Sequence, residues 1–170
     1  NPLIGKYVDC AYPEPLHLKN NAFQHLHQNL LAECLSRSKI QKATQISQLD
    51  DDCPLKRYIK KLYELNINRL SKALTKWFEQ ESKTHSASAF TFRFNGEVTM
   101  KFSLNFMELL CSIETTNATD AAKFRSVLLA YAYKHLRTAC VIMAKINITP
   151  DDLQQLELSC QRYQAVTGLL

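Results

Sequence analysis

The chain has 170 residues, 46% of them hydrophobic, and a net charge of +5; that is enough for a real core and favours one domain, or one large piece of a bigger protein. Three Gly and five Pro leave little punctuation, which argues against an all-β sandwich and for long helices. No apolar run approaches the roughly 18 residues that a membrane span needs.

The amino end, Asn1-Pro2-Leu3-Ile4-Gly5, lacks the basic leader and long apolar core of a signal peptide. Because the chain starts without Met and stops at Gly168-Leu169-Leu170, a segment of a longer protein is expected. Residues 6–12 read as a short strand that ends at Pro13. Pro15 then disfavours helix for Glu14. Asn21 with Gln24 suits a capping box, and the first helix is expected to run to about Leu35, burying Phe23, Leu26, Leu30, Leu31 and Cys34.

A polar linker follows and ends in Asp50-Asp51-Asp52, acids suited to the start of a helix with Pro54 in its first turn. That helix is expected over 54–82, with Leu55, Tyr58, Ile59, Leu62, Leu70, Leu74, Trp77 and Phe78 on its apolar side. Its phase slips near Asn66 to Asn68, which predicts a bend or break. After a loop at 82–88, two alternating runs flank Asn95-Gly96, the pair that favours a type I′ turn, so a β-hairpin is expected over about 89–102. Phe90, Phe92 and Phe94 would share one face, opposite Arg93.

Ser103 or Asn105 is expected to cap a short helix through Ile113, with Cys111 buried and inert. A long helix from about 120 to Lys145 would bury Phe124, Val127, Leu128, Tyr131, Leu136, Ile142 and Met143. Thr149-Pro150-Asp151-Asp152 marks the start of the last helix, which would bury Leu153, Leu156, Cys160 and Tyr163. The expected fold is therefore mainly α, in one helical domain, with about five helices, one hairpin and a short N-terminal strand.

Residues 37–83 hold eleven Lys and Arg against six Asp and Glu and so carry the whole positive excess. Within them Lys56, Arg57, Lys60 and Lys61 form one stripe on a helix. Such a stripe either tracks phosphates or is a solvated face. Six cysteines without a Cys-x-x-Cys pair suit reduced, packed thiols, although an even count allows three disulfides. Cys10, His17, His25 and Cys34 are a conceivable zinc set whose spacing fits no standard finger. His25 and His27 lie two apart, on different sides of a helix.

Glu14-Pro15-Leu16-His17, followed by Lys19-Asn20-Asn21-Ala22-Phe23, then Arg93-Phe94-Asn95-Gly96 and Met107-Glu108-Leu109-Leu110-Cys111-Ser112-Ile113, resemble in kind and order three pieces of RNase H-like cut-and-paste DNA transposases. The likeness is to the Transib and V(D)J recombinase catalytic subunit group: an acid-x-Leu-His junction, an Arg-x-Asn-Gly segment and a Cys-bearing helix, over roughly residues 9–145. It implies a DNA-strand-transfer enzyme of the nucleus that acts on paired transposon ends, hence as a homodimer, with two Mg²⁺ held by three acids. This chain would supply the second acid and much of a helical insertion, and would not cleave DNA alone.

By position that acid is Glu14, where the family has Asp; by residue type it is Asp9. His17 would donate to a phosphate, orient the acid, or simply pack at the turn. Arg93 and Lys101 would face DNA or solvate the outer face of the hairpin. The family's zinc-binding Cys-x-x-Cys has no counterpart here. The other reading is a non-enzymatic helical interaction module, because the set of acids is incomplete.

Overall fold

A computed structural model describes residues 15–40, 43–80 and 86–170, with side chains from His17 onward. Among them are six α-helices: α1 (Pro15–Arg37), α2 (Pro54–Glu64), α3 (Asn68–Gln80), α4 (Gly96–Ser112), α5 (Asp120–Met143) and α6 (Pro150–Thr167). Single 3₁₀ turns at Ile46–Gln48 and Ala87–Ala89 sit in the connections, and no described residue lies in a strand. The strand expected over 6–12 falls outside the described residues.

α1 starts at Pro15, a residue pre-set for the first helical turn, so Asn20 and Asn21 lie inside the helix. The expected capping box does not form, because Gln24 is used elsewhere: its side-chain oxygen accepts the Phe94 N–H at 3.2 Å. The inner face is the expected one, with Phe23, Leu26, Leu30, Leu31 and Cys34 fully buried. The expected helix over 54–82 divides into α2 and α3 at the phase slip. Asn66 there adopts a left-handed φ of 57°, and the Ile67 N–H bonds back to the Leu62 carbonyl at 2.8 Å, closing the end of α2.

The hairpin is absent. Asn95 has φ −106° and ψ 175°, and its side chain accepts the Val98 N–H at 2.9 Å. It caps α4 instead of turning a hairpin, which needs positive φ at both central residues. Asn before Gly, with Glu97 in the first turn, serves both structures locally. Burial decides between them: Val98, Phe102 and Phe106 recur at helical spacing and reach the core. Ser103 and Asn105 consequently lie within α4 and cap nothing. Cys111 is exposed.

α5 turns inward only part of the expected face: Leu136 and Ile142 are buried as expected and Leu128 packs against the core, but the stripe is rotated in the first half of the helix. Leu129, Ala132, Tyr133, Leu136, Ala139 and Ile142 are buried, whereas Phe124, Val127 and Tyr131 are exposed. α6 begins as its sequence suggests, with Thr149 and Asp152 forming a capping box. Its inner side is Asp152, Ser159 and Val166, with the expected Leu156 and Tyr163 half-buried and Tyr163 packed against the core, while Leu153 and Cys160 face solvent.

At the centre His27 is 1% exposed. Tyr58, Phe90, Phe94 and Phe102 surround it, with ring centroids 5.5–6.1 Å away, and its Nε2 has no hydrogen-bond partner. Burial lowers its pKa to about 3, so the ring is neutral in the folded protein at ordinary pH. An unfolded chain has a histidine of ordinary pKa, near 6.5, and takes up a proton that the folded state refuses. Stability from this residue is therefore complete above pH 6.5 and falls, by about 1.4 kcal/mol per pH unit, as pH drops toward 3. In urea unfolding at pH 7 and pH 5, the parent protein is expected to lose about 2 kcal/mol more than His27→Phe does. Equal losses would show that His27 is not held neutral.

Candidate nucleic-acid interface

α1 and α4 run parallel and in step. Asn20 Oδ1 accepts the Thr99 hydroxyl at 2.7 Å across a separation of 79 residues, and one turn further on Phe23 meets Phe102 edge to face, with the same offset, at 6.5 Å. The first turns of both helices therefore lie at one end of the molecule. Two segments far apart in sequence meet there: the helix that follows the acid-x-Leu-His junction, and Arg93 to Gly96.

His17 and Arg93 are exposed; Phe94, next to Arg93, donates its N–H to Gln24 in the third turn of α1. Lys101, one turn into α4, donates to Glu97 Oε1 at 2.8 Å and to the Asn66 carbonyl at 3.0 Å. The same Lys101 ammonium holds the Glu97 carboxyl below its usual range, chiefly through the hydrogen bond. Arg93 stands on the extended approach to α4 and Lys101 on the helix itself, so they do not share the face of a hairpin. Glu14 and Asp9 lie outside the described residues. Among the described residues no three His, Cys, Asp or Glu side chains are grouped to hold a metal.

The basic stripe of α2 is only partly open. Lys56 donates to the Leu49 carbonyl at 2.7 Å and pairs with Asp51 at 2.9 Å. Lys61 pairs with Glu64 at 2.7 Å. Arg57 reaches inward to the Glu114 carbonyl in the α4–α5 connection. Lys60 is exposed. Arg57, Lys60 and Lys61 still line one shallow hollow of about 220 Å³ with Glu64, Cys111 and Ser112. Pairs with exposed carboxylates are worth little and yield readily to a phosphate.

Of the candidate zinc residues, Cys10 is outside the described residues, His25 is exposed and Cys34 is buried in the core. Burial pushes the Cys34 thiol well up, which keeps it protonated and unfit as a ligand. His25 and His27 do lie on different sides of α1, one in solvent and one in the core. Cys34, Cys53, Cys111, Cys140 and Cys160 are all free thiols.

Sequence reading missed a buried charge cluster at the far end of α1. Glu33 and Arg37 have side chains only 6% exposed. Arg37 bonds to Glu33 Oε2 at 3.2 Å, Glu114 Oε1 at 3.1 Å, the Ala122 carbonyl at 2.7 Å and Ser126 Oγ at 2.9 Å. Arg125 adds a bond to Glu33 Oε1 at 2.9 Å. The one local signal was a Glu and an Arg four apart, with the Glu next to the buried Cys34. The other partners are 77 to 92 residues away.

No family model, no curated protein and no solved structure matches the chain.

Removing one member of the buried cluster strands the others. Arg37→Leu is expected to cost about 3–5 kcal/mol of unfolding free energy in urea titration, and Glu33→Leu/Arg37→Leu to recover part of that loss. A loss below about 1 kcal/mol for Arg37→Leu would mean that the cluster is solvated.

Proposed function

We propose that this chain is a segment of an RNase H-like cut-and-paste transposase, or of a protein derived from one, and that it holds DNA of the transposon end. The observation that supports the reading most is the parallel pairing of α1 with α4. It brings the junction helix and the Arg93-to-Gly96 segment to one end, where two of the three resembling pieces can act on one ligand. Both helix N-termini carry partial positive charge there. Arg93 adds a full charge. Phosphates are held by such a surface in proportion to the counterions they release.

Lys60, with the neighbouring Lys61 and Arg57, offers a second contact on α2. Mg²⁺ in the parent enzyme would polarise the reacting phosphate, with Glu14 or Asp9 among its ligands. The described residues supply no ligand set for it, so their proposed part is to bind and orient the duplex. Paired transposon ends imply two copies of the parent protein, working in the nucleus.

The second reading, a helical protein-interaction module without DNA affinity, is favoured by the exposed apolar side chains of α4 and α5. Fluorescence anisotropy with a labelled duplex separates the two. Binding should weaken steeply with salt, and Lys60→Glu and Arg93→Glu should each lower the slope of log K against log salt by about 0.9 for every phosphate no longer neutralised. Both residues are exposed, so folding should be unaffected. Absent or salt-independent binding would leave the interaction module.

A further inference from the structure

Between α4 and α5 lies a groove of about 520 Å³, lined by Met107, Tyr133, Arg137, Val141, Ile142 and Lys145 among others. Its floor is fixed. The Tyr133 ring stacks on Phe106 at 4.6 Å, and its hydroxyl donates to the Ser103 carbonyl at 2.6 Å. Its walls are apolar but not covered: Met107 is 46% exposed and Val141 57%. Leu104 and Met100 continue the apolar face of α4 at helical spacing, at 66% and 52% exposure.

The charge around the groove has one sign. Lys134, Arg137 and Lys145 line it, and no carboxylate does. Lys145 is neutralised by Asp152 at 2.6 Å. Lys134 and Arg137 are exposed, and neither is paired with a carboxylate among the described residues; Arg137 only donates to the Tyr133 hydroxyl at 3.2 Å. A surface of this kind leaves apolar area in water and two cations without counter-charges. One occupant relieves both.

We propose that the α4–α5 groove receives an acidic amphipathic helix of another protein. Its apolar side would cover Leu104, Met107 and Val141, and its Asp or Glu side chains would meet Lys134 and Arg137. From Lys134 to Ile142 the groove follows α5 for about two turns, roughly 12 Å, and it continues to Lys145 just past the helix end, which suits a short docked helix. Duplex DNA needs the cations but gains nothing from exposed Leu, Met and Val. The groove is distinct from the end where α1 and α4 begin, so this inference stands apart from the DNA reading.

The test is titration of the full chain into a labelled peptide helix with Leu on one face and Glu on the other, followed by anisotropy. Binding is expected, weakened about tenfold by Met107→Glu/Val141→Glu and about tenfold by Lys134→Glu/Arg137→Glu. A peptide with Lys in place of Glu should bind about tenfold more weakly than the acidic one. The substituted side chains are exposed or at the groove wall, and unchanged thermal unfolding by circular dichroism establishes that the variants fold. The inference is overturned if the acidic peptide does not bind, or if the Lys peptide binds as well. It is also overturned if a short duplex or phosphatidylserine–phosphatidylcholine vesicles displace the peptide, or if sedimentation shows a dimer that the groove variants dissociate, since the groove would then belong to DNA, a membrane or a second copy.

Discussion

Burial of α1 is the constraint on which the other elements depend. Leu26, Leu30, Leu31 and Cys34 have no exposed surface, and each large apolar side chain so enclosed contributes about 1.5–3 kcal/mol relative to exposure. α2, α4 and α5 all pack on this helix, and its ends are fastened by different chemistry. In the first half of α1, the Asn20 and Gln24 side-chain oxygens accept neutral hydrogen bonds from the Thr99 hydroxyl and the Phe94 N–H, which fix α4 and the segment before it. At the last turn, Arg37 ties α1 to α5 and to the α4–α5 connection through charge-assisted bonds. Both ends are thereby held in register with helices that are distant in sequence.

His27 shows how polar chemistry is subordinated to this packing. Four aromatic rings leave its Nε2 without a partner, and the ring persists there only because it is uncharged. A histidine in such a setting is a core group, and its position on α1 opposite His25 gave part of that away. Burial of charged Glu33 and Arg37 is tolerated for the opposite reason: both Arg37 Nη atoms and both Glu33 oxygens have partners that offset desolvation, and only Arg37 Nε is left without one.

Helices were legible wherever apolar spacing and local chemistry agreed. Thr149-Pro150-Asp151-Asp152 marked the start of α6, Asn66 the end of α2, and Phe23 to Cys34 the inner face of α1. The hairpin was misread because Asn95-Gly96 suits a tight turn and a helix cap equally, and only the core packing of Phe102 and Phe106 separates them. The face of α5 was misread in part because apolar residues lie on more than one side of it; Leu136 and Ile142 are buried as expected, but packing against α1, α4 and α6 chooses Leu129 and Tyr133 over Phe124 and Val127. At the candidate interface, the cations of α2 could be placed on one stripe, yet not their partners: Asp51 and Glu64 are near in sequence, whereas the Glu114 carbonyl that holds Arg57 is 57 residues away. Pairing across such distances leaves no mark in local spacing.

The left-handed residue at Asn66 has a consequence for how α2 and α3 share the core. At about 100° per residue, a straight rod from Pro54 to Gln80 would rotate the side bearing Leu70, Leu74 and Phe78 by roughly a quarter turn from the side bearing Leu55, Tyr58, Ile59 and Leu62. All seven are buried, so the elbow acts as a phase corrector between two rods each too short to persist alone. Adding or losing a single residue there would swing one rod's oily side outward, which makes the length of this joint, more than its composition, the quantity the molecule has to preserve.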